Sequence, residues 1–262
     1  MTLTTDQLVA SPACIPQWAL DEILAAYAQL GFGKFEAFCT WCASALDIHQ
    51  PAQQYLELAR KHEMVFTSMH LPPITDDFDD ALEQAVATAR YAQSIGAKVV
   101  LYKAQSRELY VRGAKPLLDR LESENINVIP VLQNHKGTPI TTLDDFKQVI
   151  DAIADPRMKT LLEVGHFQRV GVSWQQGMDL LDQSIALVHI NEIDDDGQSV
   201  PFGQGRVDFQ GLFAALSERN YTGEIVVELE LDTRKTDAQR TVNELANALT
   251  YLKQMGIKET QS

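Results

Sequence analysis

The most constraining feature of this sequence is a regular alternation of short apolar segments with longer helix-like segments. The apolar segments are rich in β-branched residues, as are strands buried on both faces of a parallel sheet. They recur roughly every 30 residues, the size of one strand plus a crossover helix. Eight of them begin near Leu8, Lys34, Met64, Ala97, Asn127, Lys159, Ile185 and Glu224. Helical periodicity covers residues 18–30, 52–62, 80–95, 108–124, 143–154, 174–183, 209–219 and 237–255. Eight such units with right-handed crossovers predict an α/β fold, the closed (β/α)8 TIM barrel.

An open, doubly wound sheet is the competing architecture, and it favours a glycine-rich turn after the first strand. The residues that follow the first predicted strand read SPACIPQWAL and contain no glycine. The chain has 262 residues, close to the ~250 of a typical barrel. No linker rich in Gly, Ser or Pro divides it. The sequence therefore predicts a single barrel domain over residues 1–262.

The charge of the chain argues against several classes of partner. The formal net charge is −14, which opposes the phosphate neutralisation on which nucleic-acid binding depends. No stretch reaches the ~18 apolar residues of a membrane span, and the N-terminus lacks the pattern of a secretory signal. Three cysteines, Cys14, Cys39 and Cys42, do not suggest a disulfide framework. We expect a cytoplasmic protein that binds neither nucleic acid nor membranes.

Four predicted strands each end in a side chain that can bind a metal ion. The segments VIPVLQNH, KTLLEVGH, ALVHINE and EIVVELE supply Gln133, Glu163, His189 and Glu228. In a (β/α)8 barrel the C-terminal ends of all strands meet at one mouth, where active sites of this fold lie. One imidazole and three oxygen donors suit a divalent cation. We predict a site for Mn or Mg, with Co or Zn as alternatives.

At these positions the sequence resembles the xylose isomerase-like TIM barrel family of sugar isomerases, epimerases and related lyases. Five of its motifs are matched in order by Gln133-Asn134-His135, Glu163-Val164-Gly165-His166, His189-Ile190-Asn191-Glu192, Phe202-Gly203-Gln204-Gly205 and Glu228. The resemblance runs from about Leu8 to Gly256. It implies the barrel fold, a bound divalent metal and proton transfer next to a carbonyl group.

The departures from the family pattern concern the reaction more than the fold. Family members usually carry Glu at position 133, where it binds the metal and often moves a proton. Gln133 offers a carbonyl oxygen but carries no charge and cannot act as a base. Glu163 stands where the family has Asp, one methylene shorter. The resemblance therefore implies that Glu228 is a catalytic acid or base, and that another group replaces the base missing at 133.

His135 and Glu163 are the candidates for that replacement. His135 fits because an imidazole suits proton transfer near neutral pH and because lyase-like relatives use a histidine in this turn. A hydrogen-bonding role is the alternative for His135. The resemblance assigns His166 to substrate binding. His70 and Lys103 close the third and fourth strands and should face the mouth, where the Lys103 ammonium could bind an anionic group; a solvated lysine is the alternative. Glu36 on the second strand is either a substrate-side acid or a structural partner of a neighbouring base.

The segment 193–208 is too long for a simple turn after the seventh strand. It is either a solvated surface loop or a loop folded over the mouth with Arg206 pointing inward as a substrate-binding group. The preferred functional hypothesis is a metal-dependent isomerase or epimerase of a small sugar or polyol-derived substrate. The alternatives are a metal-dependent dehydratase acting on a small hydroxy-keto acid and a non-catalytic sugar-binding barrel. A homo-oligomer is possible.

Overall fold

A computed structural model of the chain describes residues 2–232 and 237–260. Its eight strands are β1 (Leu8–Ala10), β2 (Lys34–Ala37), β3 (Val65–His70), β4 (Val99–Tyr102), β5 (Ile129–Gln133), β6 (Lys159–Glu163), β7 (Ile185–Ile190) and β8 (Glu224–Val227). Each strand pairs in parallel with the next, and β8 pairs with β1, so the sheet closes on itself. The predicted (β/α)8 barrel is confirmed.

The helices lie where the sequence predicts them, with bounds that differ by no more than two residues. They are α1 (Leu20–Leu30), α2 (Ala52–Lys61), α3 (Phe78–Ser94), α4 (Arg107–Ser123), α5 (Leu143–Ile153), α7 (Trp174–Leu181), α8 (Phe209–Glu218) and α9 (Ala238–Met255). One further helix, α6 (Val164–Gln168), begins directly after β6. The sequence suggested only a strand-to-loop turn there. One helical turn carries too little periodicity to be recognised.

Apolar side chains pack in two separate layers, one inside the barrel and one between the sheet and the helices. The interior holds a cluster of aliphatic residues, Val9, Val99, Leu101, Val131, Leu161, Leu187 and Val226. Their sequence neighbours on the same strands point outward, because side chains alternate between the two faces of a strand. Those neighbours, such as Val100, Leu132 and Leu162, join the larger core between the sheet and the helices.

The same alternation carries polar residues into the barrel mouth. Gln133, Glu163, His189 and Glu228 each lie two residues beyond an interior aliphatic residue. A side chain two positions along a strand returns to the same face, so these four stand directly above the aliphatic cluster. The strand pattern thus separates a dry interior from a polar layer at the C-terminal end. Within the described residues no helix combines the length and the apolarity that crossing a membrane requires.

Candidate metal and substrate site

Three charged side chains from β6, β7 and the end of β8 converge at the centre of the mouth. Nδ1 of His189 lies 3.1 Å from Oε2 of Glu163 and 3.4 Å from Oε1 of Glu228. Glu163 and His189 are register partners on adjacent strands. Both are fully buried, and Glu228 is only 5% exposed. The closed sheet therefore brings together residues that are distant in sequence.

Gln133 joins this group through its amide. Its Nε2 donates a hydrogen bond to Oε2 of Glu163 at 3.1 Å, so the four predicted metal-binding residues form one contiguous set. The neighbouring Asn134 holds the Glu163 backbone from both sides: its Nδ2 donates to the Glu163 carbonyl, and its Oδ1 accepts from the Glu163 amide, each at 3.2 Å. Glu163 ends β6 and precedes α6, where strand pairing stops. The Asn134 amide replaces the missing strand partner there.

Glu228 is held by two polar neighbours. Ser11 Oγ donates to its Oε1 and Asn191 Nδ2 donates to its Oε2, each at 3.3 Å. Asn191 reaches this position because residue 165 is glycine. A Cβ atom on Gly165 would lie 1.4 Å from Oδ1 of Asn191, which no side chain tolerates. Glycine in α6 is therefore a requirement of the site.

The electrostatics of this centre favour a cation. Burial, followed by the charge of Glu228, raises the pKa of Glu163 to about 7. Burial lowers the pKa of His189, but the charges of Glu36 and Glu228 outweigh it and hold that pKa well above its usual value. Among the described residues, buried Oε1 of Glu163 has no hydrogen-bond partner. Buried carboxylates that repel each other and retain a free oxygen fit a divalent metal ion, which prefers oxygen ligands.

Glu36, at the centre of β2, contacts the group from the other side of His189. Its Oε1 lies 3.2 Å from Nε2 of His189 and accepts a hydrogen bond from Ser68 Oγ at 2.9 Å. One ligand atom from each of Glu36, His189 and Glu228 lies within 4.8 Å of the others. Burial raises the pKa of Glu36, but the charges of His189 and His70 and their hydrogen bonds hold it well below the usual value. The sequence suggested this role as a partner of a base only as one of two alternatives, because β2 and β7 are not neighbours in the sheet.

His70 and Lys103 lie together at the ends of β3 and β4. Nζ of Lys103 is 2.6 Å from Nδ1 of His70, and Nε2 of His70 is 3.3 Å from Oε2 of Glu36. The His70 ring stacks on Phe38 with centroids 3.8 Å apart. Burial, followed by the charge of Lys103, lowers the pKa of His70 to about 4. A neutral His70 accepts from Lys103 through Nδ1 and presents its N–H to Glu36.

His135 and His166 form a second pair of imidazoles, with ring centroids 3.7 Å apart. Nδ1 of His135 lies 2.8 Å from the carbonyl oxygen of Lys136. A carbonyl only accepts, so this contact places the proton on Nδ1 and leaves the lone pair on Nε2. Burial lowers the pKa of His135. Burial, followed by the charge of His135, lowers the pKa of His166 to about 2, so both rings are neutral at physiological pH.

Arg169, which belongs to none of the sequence motifs, lies beside His166. Its guanidinium is 3.3 Å from His166 Nδ1 and donates to Ser199 at 2.6 Å and to Glu230 at 3.3 Å. Only 14% of its side chain is exposed. The sequence signal for Arg169 was its spacing of three residues from His166, which puts both residues on one face of a helix. This spacing could not be interpreted because the sequence did not predict α6.

Arg206 is exposed, as in the first of the two arrangements considered for its loop. Its side chain is 39% exposed, lies 3.5 Å from Asp195 and donates to the carbonyl of Gln168. The loop itself is fixed by Glu192, whose carboxylate accepts from the backbone amides of Gly203, at 3.1 Å, and Val207, at 3.0 Å. A substrate-binding role for Arg206 stays a prediction.

Comparisons with known proteins agree with this architecture. Residues 24–258 match the model of the family described as xylose isomerase-like TIM barrel, and the chain belongs to that family. It is 19% identical over 196 residues to an inosose dehydratase of Clostridium botulinum, an alignment that covers 60% of this chain and 66% of the relative. Among solved structures, it is similar to a xylose isomerase domain containing protein of Salmonella typhimurium, at 15% identity with a TM-score of 0.77 and coverage of 96% and 99% of the two chains. It is also similar to an IolI protein with a bound zinc atom, at 15% identity with a TM-score of 0.75 and the same coverage.

Proposed function

We propose that this member of the xylose isomerase-like family is a divalent-metal-dependent enzyme that removes a proton next to a carbonyl group of a small polyhydroxylated substrate. The observation that carries the proposal is the convergence of Glu163 and Glu228 on Nδ1 of His189, with Oε1 of Glu163 lacking a hydrogen-bond partner in the described part of the chain. Such a buried concentration of acidic groups is stabilised by a cation. A zinc atom in a solved structure of similar fold supports the same inference.

Gln133, Glu163, His189 and Glu228 are proposed to hold the metal ion. When bound, a divalent ion polarises a carbonyl oxygen and so acidifies the neighbouring C–H bond. Gln133 contributes a neutral ligand, because its amide has no titratable proton. The site then carries two carboxylates, a charge that matches a divalent cation.

The proton itself is proposed to move to and from Glu228 and His135. His135 is suited to act as a base, because its ring is neutral and the contact with Lys136 leaves the lone pair on Nε2. His70, Lys103 and His166 surround the centre with groups that bind hydroxyl or carboxylate oxygens. The half-buried Lys103 ammonium favours a substrate with an anionic or enolate-forming end.

Two reactions begin with this proton transfer: epimerisation, in which the same carbon is reprotonated from the opposite face, and dehydration, in which the enolate expels a β-hydroxyl group that takes a proton from an acid and leaves as water. Epimerisation needs matched acid–base groups on both faces of one carbon. Position 133 holds an amide whose N–H bonds to Glu163, so one member of a carboxylate pair is missing. This observation favours dehydration. Inosose dehydratases among the curated relatives support it.

The test is a substrate panel of inososes, hydroxy-keto acids and ketohexoses, run with Mn²⁺-loaded protein in D₂O. Dehydration should produce a conjugated carbonyl that absorbs in the ultraviolet and release one water per turnover. Epimerisation should instead give deuterium at the carbon next to the carbonyl without new absorbance. Tight metal and substrate binding with neither signal would support the non-catalytic alternative. Cytoplasmic location and oligomerisation remain predictions from the sequence.

A further inference from the structure

His189 lies between acidic groups on both sides of its ring. Nδ1 faces Glu163 and Glu228, at 3.1 and 3.4 Å. Nε2 faces Oε1 of Glu36, at 3.2 Å. Glu36 and His189 are both fully buried, so no water competes for these contacts. The two ring nitrogens therefore face different carboxylates: Nδ1 faces Glu163 and Glu228, and Nε2 faces Glu36.

Only one of these nitrogens can serve the metal centre described above. A neutral imidazole has one N–H and one lone pair, and a metal ion binds the lone pair. Glu36 can only accept, so it retains the proton on Nε2 and leaves Nδ1 free for the metal. We propose, on the premise that the proposed function is correct, that Glu36 is a positioning residue that fixes the tautomer and orientation of His189 and is not itself a metal ligand.

The contacts of Glu36 support this positioning role. Oε1 accepts from Ser68 at 2.9 Å as well as facing His189. Oε2 faces Nε2 of His70 at 3.3 Å. Oε1 of Glu36 is thus shared between the Ser68 hydroxyl and the Nε2 side of the His189 ring. Among the described residues, Oε2 of Glu36 and Oε1 of Glu163 both lack a hydrogen-bond partner, but Glu163 lies on the Nδ1 side of the ring together with Glu228.

Glu36 is itself positioned by contacts that run through His70 to Phe38 and Lys103. His70 stacks on Phe38 and accepts from Lys103 through Nδ1, at 2.6 Å. This acceptor role directs the His70 N–H toward Glu36. The ring nitrogens of His70 and His189 and the Ser68 hydroxyl therefore surround a single carboxylate, and among the described residues the hydroxyl is the group that makes a hydrogen bond to it. Carboxylates that orient metal-binding histidines in this manner typically contribute 10- to 100-fold to metal affinity.

The test combines nuclear magnetic resonance with metal binding. In Zn²⁺-loaded protein labelled with ¹⁵N-histidine, His189 should carry its proton on Nε2 and the metal on Nδ1. Glu36→Gln should weaken Zn²⁺ and Mn²⁺ binding about 10- to 100-fold by calorimetry, because the amide can also donate to Nε2 and favour the wrong tautomer. Glu192→Gln is the matched control, since it changes a buried carboxylate that holds loop amides and not His189. Its Kd values should stay within about threefold of wild type.

The outcomes distinguish a failure of the role of Glu36 from a failure of the proposed metal centre. Metal on Nε2 of His189, or an unchanged Kd in a folded Glu36→Gln variant, overturns the role of Glu36 while leaving the metal centre intact. If neither wild type nor Glu192→Gln binds Zn²⁺ or Mn²⁺, the proposed function fails together with this inference. Should Glu36→Gln not fold, the tautomer in the wild-type protein still decides the question.

Discussion

Replacing Gln133 by Glu tests whether this position belongs to the metal site, and its effect follows from one contact. Nε2 of Gln133 donates to Oε2 of Glu163 at 3.1 Å. In Gln133→Glu a carboxylate oxygen takes the place of that donor. Two unit charges at this separation repel by about 5 kcal/mol at an effective dielectric constant near 20. Protonation of one carboxyl at pH 7 limits the loss to ~4 kcal/mol, the cost of shifting a Glu pKa from about 4.3 to 7.

Metal-free Gln133→Glu should therefore unfold about 10 °C below wild type, since 1 kcal/mol corresponds to roughly 2–4 °C in a chain of this size. Saturating Mn²⁺ should reverse the order, because the added charge that destabilises the empty site strengthens cation binding. The assay is thermal unfolding at pH 7 in EDTA and in Mn²⁺, with Kd from calorimetry. Gln210→Glu adds the same charge at an exposed position of α8 and should change stability by less than ~0.5 kcal/mol.

Equal melting temperatures in EDTA together with an unchanged Mn²⁺ affinity would refute the reasoning and remove Gln133 from the site. If metal binding tightens but the native reaction slows, position 133 is adapted to elimination. If epimerase activity rises instead, the missing carboxylate was the only barrier to that reaction. Each result assigns position 133 a different role.

Three further predictions concern the same centre. Glu228→Gln should lower turnover at least ~10²-fold, and near-normal turnover in the metal-loaded variant would exclude it as an acid or base. His135→Ala should lower kcat ~10²–10⁴-fold with little change in KM; a loss below threefold would leave it only a hydrogen-bonding role. Glu163 has its pKa raised to about 7, so its protonated form stabilises metal-free protein below pH ~4.3, and this contribution of about 3–4 kcal/mol is lost as pH rises through 7. Glu163→Gln should flatten that pH dependence in denaturant unfolding in EDTA, and an identical slope would contradict the shift.

The sequence was sufficient for the fold because each strand and helix carries its own periodicity. β6, β7 and β8 begin at the predicted residues, and strand alternation alone put their polar ends on the interior face. Contacts across the barrel were harder to predict from the sequence. The approach of Glu36 to His189 depends on closure of the sheet, which places β7 three strands from β2 through β8 and β1, and no local pattern encodes that distance. Arg169 was missed because its place beside His166 depends on a helix of a single turn.

The position of Arg206 could not be predicted for a different reason. A loop of this length has many conformations, and the one adopted is selected by a buried carboxylate, Glu192, that accepts hydrogen bonds from backbone amides in the C-terminal part of the segment. Hydrogen bonds to backbone amides leave no trace in the sequence of the loop itself. The positive charge of Arg206 is evident from the sequence, but the direction in which its side chain points is not.

The placement of each polar side chain two residues above an aliphatic one also limits how this site can change by mutation. One residue inserted into β6 between Leu161 and Glu163 would rotate the following residue to the opposite face, exchanging a carboxylate for an aliphatic group at the mouth. Insertions in the segment 193–208 would leave the strand alternation untouched. Changes of chemistry at the centre are therefore accessible through single substitutions, such as the exchange of amide and carboxylate at 133. Changes of length are accessible only in the loops around it.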